Sequence, residues 1–342
     1  MKLLGPRSLI LALLGLVWSL ACIAADLEKP HVTLAVGGKT TLYYLPLTIA
    51  EQLGYFKDEG LTVEIEDFPG GSRSLQALIG GSVDVVSGAY EHTIVMQTNA
   101  QKLEAFVLQG TNPGISLGIV KSRASGYSWP KDLKGMRVGV TAPGSSTQML
   151  VNHLLASVGL TPDDVSIVGV GTGAQAVAAV RSGELDAISN VDPVMMLLEK
   201  HGLIKIVNET TTAKGAREVF GGSLPAACLY AKQSFVQQNP RTVQALTNAI
   251  VRALKWLKTA TPEEVAQTVP PEYLLGDRTL YLDAFKRVRV VYSQDGIISP
   301  AAVKMSYQVL LQHNAAVRRA PVLFLNETYT NTFVQNALSK YN

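Results

Sequence analysis

The chain has 342 residues, of which 47% are hydrophobic and 17% charged, and 30 Lys and Arg against 27 Asp and Glu give a formal net charge of +3. This composition excludes a disordered chain, which needs low hydrophobicity and high net charge. It also argues against a nucleic-acid-binding protein, because no run of five basic residues supplies a basic stripe. At about 150 residues per domain the length predicts about two domains.

The first predicted element is an export signal. Lys2 and Arg7 precede an apolar run from Leu9 to Ala21, and small residues follow up to Ala24 and Ala25, ahead of the polar Asp26. A bilayer-spanning helix needs about 20 apolar residues, so the run is too short for one and is read as a secretory signal peptide over residues 1–25. Without it the net charge falls to +1, because both of its charges are basic. Cys22 raises a lipid anchor as a lesser alternative, since Ser19 and Leu20 depart from a lipoprotein signal and only Ala21 fits. With Cys22 removed or acylated, Cys228 has no disulfide partner and is expected to be a small buried hydrophobe in the apolar stretch Leu224–Tyr230.

Further along the chain, Pro46 opens a helix through Leu53. Residues Thr62 to Phe68 alternate as a strand, with Val63 and Ile65 on one face and Glu64 and Glu66 on the other. Met136 to Thr141 reads as a short strand and Ser146 to Ser157 as a helix. A pattern then recurs. Residues Gly71 to Gly88 and Gly173 to Asn190 each run from a Gly through an apolar-faced helix to a second Gly, an Asp and a short strand. Gly71 to Asp84 and Gly173 to Asp186 both span 13 positions. Alternating strands and helices imply mainly parallel sheets covered by helices, and two such modules imply two lobes with a cleft between them. From about Ser234 the chain is mostly helical. Pro240 opens a helix to about Lys258, Thr261 to Glu264 forms a capping box, and Asp277, Ser299 and Asn326 are expected N-caps.

Catalytic motifs are scarce. His31, His92, His153, His201 and His313 show no metal-ligand spacing, and neither a G-x-S-x-G elbow nor a phosphate loop is present. Gly169 to Ala174 imitates a dinucleotide fingerprint, but Ala174 stands where the third glycine is usual and Gly173 is out of step. The expectation is a chain that is not an enzyme and uses neither cofactor nor metal. Binding is better served. Gly70-Gly71-Ser72, Gly144-Ser145-Ser146-Thr147 and Gly171-Thr172-Gly173 are strand-to-helix turns. In open α/β sheets such turns line the ligand crevice, and helix starts offer unpaired N–H groups to an acidic ligand.

The phrases Leu45 to Glu51, Gly54 to Ile65, Gly81 to Val85, Asp132 to Val140, Gly144 to Thr147, and Gly183 to Ala187 with Asp192-Pro193 resemble, in order and spacing, the nitrate/sulfonate/taurine-type solute-binding proteins of ABC transporters. The resemblance covers roughly Val32 to Ala231. It implies a two-lobed type II periplasmic-binding-protein fold that closes on a small ligand and presents it to a membrane permease driven by an ATPase. Crossovers are expected near Leu117–Val120 and Leu224–Tyr230. Lobe one would then comprise 31–117 plus 226–342, and lobe two 118–225. Carried over by position, the pocket falls on Lys39 to Tyr44, Gly70, Gly71, Ser72, Gly88, Ala89, Tyr90, Glu91, Gly144, Ser145, Ser146, Thr147, Asn190, Asp192 and Pro193. Tyr44 and Tyr90 would pack on the ligand or in the core. Glu91 would suit an amine-bearing ligand or lie exposed at a helix start, and Arg73 is expected on an outer helix face.

The implied function is a monomeric periplasmic component of an ABC importer for a small organic sulfonate-, nitrate- or related sulfur- or nitrogen-containing solute. Any membrane contact would come through the permease or a lipid anchor at Cys22. A ligand-sensing periplasmic protein is the alternative. A third reading is an enzyme resembling fungal thiamin-pyrimidine synthase, whose Cys-rich motif this chain lacks.

Overall fold

The computed structural model describes residues 26–128 and 130–341. Its first part runs β1 (His31–Val36), α1 (Leu45–Gln52), α2 (Tyr55–Asp58), β2 (Thr62–Asp67), α3 (Gly71–Gly80), β3 (Val85–Ala89), α4 (Glu91–Gln97) and β4 (Leu103–Leu108). The middle part holds β5 (Ile115–Val120), β6 (Arg137–Val140), α5 (Ser146–Ser157), β7 (Ser166–Gly169), α6 (Ala174–Arg181), β8 (Ala187–Val191), α7 (Val194–Lys200), β9 (Ile204–Glu209) and α8 (Ala213–Phe220). The last part begins with β10 (Ala227–Lys232) and continues through α9 (Gln233–Gln238), α10 (Pro240–Thr259), α11 (Pro262–Thr268), α12 (Arg278–Val288), α13 (Pro300–His313), α14 (Ala315–Arg319) and α15 (Thr332–Lys340).

Two five-stranded sheets result, ordered β2-β1-β3-β10-β4 and β7-β6-β8-β5-β9. Alternate side chains of β1 feed two separate cores. Leu34 and Val36 pack under α10, while Ala35 joins Val86, Cys228 and Tyr230 on the opposite face. Sheet two is likewise buried on both faces. This double burial is why its three inner strands, β5, β6 and β8, read as mostly apolar runs.

The repeated pattern has the same structural meaning in both lobes. Asp84 sits before β3, where its carboxylate accepts from the Thr33 N–H at 3.0 Å and its own N–H donates to the Thr33 carbonyl at 2.9 Å. Asp186 does the same to Arg137 before β8, with both bonds at 2.9 Å. Each Asp thus pins the strand that ends its repeat to an earlier strand, β3 to β1 and β8 to β6. The Arg137 side chain adds bonds that hold Asp186 below the usual carboxylate range. Cys228 is buried with a free thiol, which burial pushes well above its ordinary pKa.

Four expectations are refined or corrected. First, the mainly parallel sheets expected are present, but each carries one strand, β10 or β5, that runs antiparallel to both neighbours and makes the sheet mixed. Second, Leu117–Val120 is not a crossover. It lies within β5, between β8 and β9 of sheet two. Third, the second crossing ends before Tyr230, which lies in β10 of sheet one, so the chain passes between the sheets at 109–114 and at 210–226. Fourth, Asn326 caps no α-helix and lies in a short 3-10 turn, Leu325–Glu327. Ala105 of β4 accepts from the Thr330 N–H and donates to the Thr328 carbonyl, each at 2.9 Å. That pairing holds the segment beside β4 and delays α15 to Thr332. The Thr261 capping box and the Asp277 cap form as read. The expected signal peptide and Cys22 lie outside the described residues. Among the described residues, no helix is long and apolar enough to cross a membrane.

Candidate functional site: the cleft between the lobes

The carboxyl ends of β1, β3, β6 and β8 and the turns that follow them bring the two lobes face to face. Gly144 adopts φ +86°, a left-handed conformation that favours glycine, and packs against Ser72 of the opposite lobe. α5 starts immediately afterwards, and the Thr147 hydroxyl accepts from the Thr141 N–H at 3.0 Å, tying the helix start to the end of β6. Ser145 then reaches across the cleft. Its hydroxyl accepts from the Ser72 N–H at 3.0 Å, while the Ser72 hydroxyl donates to the Pro143 carbonyl at 2.8 Å. The Leu42 N–H crosses to the Asp192 carbonyl at 3.0 Å.

These contacts enclose a cavity of about 20 Å³, lined from lobe one by Gly37, Thr41, Tyr43, Tyr44 and Gly71. Lobe two contributes Ile115, Thr141, Ser145, Ser146, Thr147, Thr172 and Val191. One water needs about 10–15 Å³, so an organic solute fits only if the lobes part and re-close around it. The lining is hydroxyl-rich and aromatic and includes neither Lys nor Arg. Tyr43 and Tyr44 pack edge to face, with ring centroids 4.7 Å apart. Burial pushes both phenols up, and the charge of Glu91 adds to the shift.

The expected site residues divide into four groups. Tyr44, Gly71, Ser145, Ser146 and Thr147 line the cavity. Gly70, Ser72 and Gly144 form the contact between the lobes beside it. Glu91, at the start of α4, is buried rather than exposed, and its Oε1 has no hydrogen-bond partner. The others serve the interior or the interlobe brace. A Cβ on Gly88 would meet the Tyr230 ring at 2.8 Å, Ala89 pairs with Ala227 inside sheet one, and the Tyr90 hydroxyl bonds Thr328. Of the two places expected for Tyr90, the core is the one it takes, which removes it from the expected ligand-binding residues. Asn190 is spent on the Gly171 carbonyl and the Val191 N–H. Asp192, joined to Pro193 by a cis peptide, pairs with Arg287 of lobe one at 2.6 Å. Arg73 is exposed and bonds Gln76.

Sequence reasoning missed His92. Its Nδ1 lies 3.1 Å from the Tyr230 hydroxyl, while its Nε2 is buried without a partner. A Cβ on Gly71 would touch its ring at 3.5 Å, which places the ring at the edge of the cavity. Burial lowers its pKa, and the Glu91 charge and the Gly144 carbonyl oppose that shift. No motif marks a histidine of this kind. Thr172 and Tyr43 were signalled only as members of a Gly-rich turn and of the Lys39–Tyr44 segment.

Gly70→Ala tests the fit between the lobes. Its Cβ would stand 2.8 Å from the Ala142 Cβ and 3.0 Å from the Ala142 nitrogen. The expected outcome is a loss of about 1–3 kcal/mol from the closed form, read as a larger radius of gyration in small-angle scattering. An unchanged radius would show that the lobes do not meet there in solution.

Similar proteins were found both by structure and by sequence. A structurally characterised protein of Bordetella bronchiseptica RB50 is 51% identical, with a TM-score of 0.89 over 92% of this chain and 99% of that one. YtlA of Bacillus subtilis (strain 168), whose name provisionally makes it a binding protein, is 24% identical over 266 residues, 77% of each chain. The 4-amino-5-hydroxymethyl-2-methylpyrimidine phosphate synthase of Candida albicans is 28% identical over 238 residues, 66% of this chain and 67% of that one. The fold is shared with the alkanesulfonate-binding protein SsuA of Xanthomonas axonopodis pv. citri, at 18% identity and TM-score 0.68 over 90% of this chain and all of that one. It is shared equally with the periplasmic nitrate-binding protein NrtA of Synechocystis PCC 6803, at 16% identity and TM-score 0.72 over 92% of this chain and 90% of that one. The two-lobed periplasmic-binding-protein fold is thereby established.

The synthase relatives overturn the expectation of a chain that is not an enzyme. One fold hosts both binding and chemistry, and the scarcity of local catalytic motifs does not separate them. The NMT1-like family matches residues 25–270, and the chain belongs to that family.

Proposed function

We propose that this protein is the solute-binding component of an ABC importer, exported to the periplasm by residues 1–25. It captures a small organic sulfur- or nitrogen-containing solute between its lobes and hands it to a membrane permease. The observation that carries this reading is the cavity itself. Both lobes line it through strand-to-helix turns, and direct interlobe hydrogen bonds from Ser72 and Leu42 close it. A solute that contacts both sets of turns favours the closed arrangement, because those contacts exist only when the lobes meet. The crossings at 109–114 and 210–226 are where the chain would flex. The binding-protein name of YtlA, and the alkanesulfonate and nitrate named in the titles of SsuA and NrtA, support the class.

A thermal-shift screen of the mature chain against sulfonates, nitrate, carboxylates and pyrimidines tests the reading. A true ligand at 100 times its Kd adds about 2.7 kcal/mol of stability. Mass spectrometry of the same mixtures reads whether a bound compound is also converted. A screen in which no compound raises the melting temperature would sink the reading.

A further inference from the structure

Three neighbouring polar atoms of lobe one are buried without a well-formed hydrogen bond: the Tyr43 hydroxyl, Glu91 Oε1 and His92 Nε2. The Ser146 hydroxyl stands near the first and the Gly144 carbonyl near the last, which leaves Glu91 Oε1 as the atom with no partner at all. Buried polar groups in native proteins are nearly always hydrogen-bonded, so this oxygen points to a ligand that supplies its partner. The three atoms sit together for a topological reason. α4 begins one residue after β3, the central strand of sheet one, so Glu91 and His92 emerge at the cleft end of that sheet. Tyr43 comes from the turn after β1, the strand beside it, and its ring lines the cavity.

The chemistry of the three atoms is complementary to one class of compound. A carboxylate oxygen only accepts, so Glu91 requires a donor. A phenol can donate, and His92 Nε2 donates or accepts according to its tautomer. Across the cavity, Ser146, Thr147 and Thr172 supply hydroxyls, and α5 presents its N-terminal end, both suited to an acceptor group on the far side of the solute. Glu91 lies close enough to the lining residues Tyr43 and Tyr44 for its charge to act on both phenols, so it repels an anion in the cavity, and neither Lys nor Arg lines the cavity to offset it.

We propose that the solute carries an amine or amide nitrogen whose N–H donates to Glu91, and that this carboxylate selects against simple anions. The inference rests on the binding reading above and narrows it: nitrate and unsubstituted alkanesulfonates are excluded, while aminosulfonates, amides and aminopyrimidines are admitted.

Calorimetric titration of the mature chain with matched pairs tests it: taurine against ethanesulfonate, acetamide against acetate, and 4-aminopyrimidine against pyrimidine, with sodium nitrate alongside. At least one N–H-bearing member is expected to bind tenfold or more tightly than its partner. Glu91→Gln is then expected to weaken that member tenfold or more. The inference is overturned if nitrate or a member lacking N–H binds as tightly as the N–H compounds, or if Glu91→Gln leaves their affinity unchanged. In those cases the binding function survives. If no compound of either kind binds, the binding reading falls together with the inference. Should Glu91→Gln fail to fold, the matched pairs on the natural chain decide alone.

Discussion

Replacing Arg287 by alanine is expected to lower the unfolding free energy by about 3–5 kcal/mol, the usual cost of leaving one member of a buried ion pair alone. Arg287 holds Asp192 with two bonds, Nη2 to Oδ1 at 2.6 Å and Nε to Oδ2 at 2.9 Å. Its Nη1 also reaches Glu199 at 2.9 Å. The Asp192 side chain is only 1% exposed, and Arg287 19%. Burial pushes the Asp192 carboxyl up, and the guanidinium draws it back down. Without Arg287 the carboxylate keeps only the Met196 N–H at 3.0 Å, too little to offset its lost hydration. Because Arg287 belongs to α12 and Asp192 to the turn after β8, the damage falls on the junction of the lobes. Urea denaturation measures it. The double variant Asp192→Asn with Arg287→Met, which removes both charges, is expected to cost less than Arg287→Ala alone. A single-variant cost below about 1 kcal/mol would show that the pair is solvated like a surface ion pair.

Acid is expected to destabilise the protein through a second interlobe contact. His153 of α5 and His313 of α13 face each other with ring centroids 6.4 Å apart. His153 Nε2 lies 2.7 Å from the Val219 carbonyl, while His153 Nδ1 and His313 Nε2 are buried without partners. Burial, then the neighbouring His153 and Arg318, pushes His313 down to about 4, and burial lowers His153 as well. The folded pKa of His313 thus lies below its unfolded value of 6.5. Between those two pH values the unfolded chain binds the proton and the folded chain does not. Stability therefore falls as pH drops from about 6.5 towards 4, by about 3 kcal/mol in total for this one group. His313→Asn removes that proton. Its stability is expected to decline less steeply over this window, by up to about 1.4 kcal/mol per pH unit where the difference is a full proton. Urea midpoints at pH 7, 5.5 and 4.5 measure both proteins, and parallel curves would show that His313 is already solvated.

Most of the local structure could be read before any coordinates. Ser146 to Ser157 forms the predicted helix, Thr261 to Glu264 the predicted capping box, and the two Gly–Asp repeats the predicted helix-to-strand units. These features depend on contacts within a few residues, where spacing and side-chain type leave little freedom. The antiparallel strand in each sheet escaped because β5 and β10 pair with segments far along the chain, and an apolar run such as Ile115 to Val120 reads the same whichever way it points.

The site was readable as segments and not as side chains. Alternation within β3 and its exit turn decides that Tyr90 points into the core and bonds Thr328, while Glu91, one residue on, is buried beside the cleft tyrosines. His92 and Arg287 carry no local signature at all. His92 matters because sheet order brings α4 beside the turn after β1, and Arg287 because α12 packs near the end of β8.

By itself, then, the sequence determined part of the helices and strands, the internal repeat, the two α/β modules and the Gly-rich strand-to-helix turns, all of which follow from short-range periodicity and backbone chemistry. Only the tertiary structure decided where the chain crosses between sheets, which carboxylate is paired and which is left without a partner, and how little space the closed lobes enclose. Those outcomes depend on burial and on charges brought together across 95 residues of chain, as Asp192 and Arg287 are, and no local pattern encodes them.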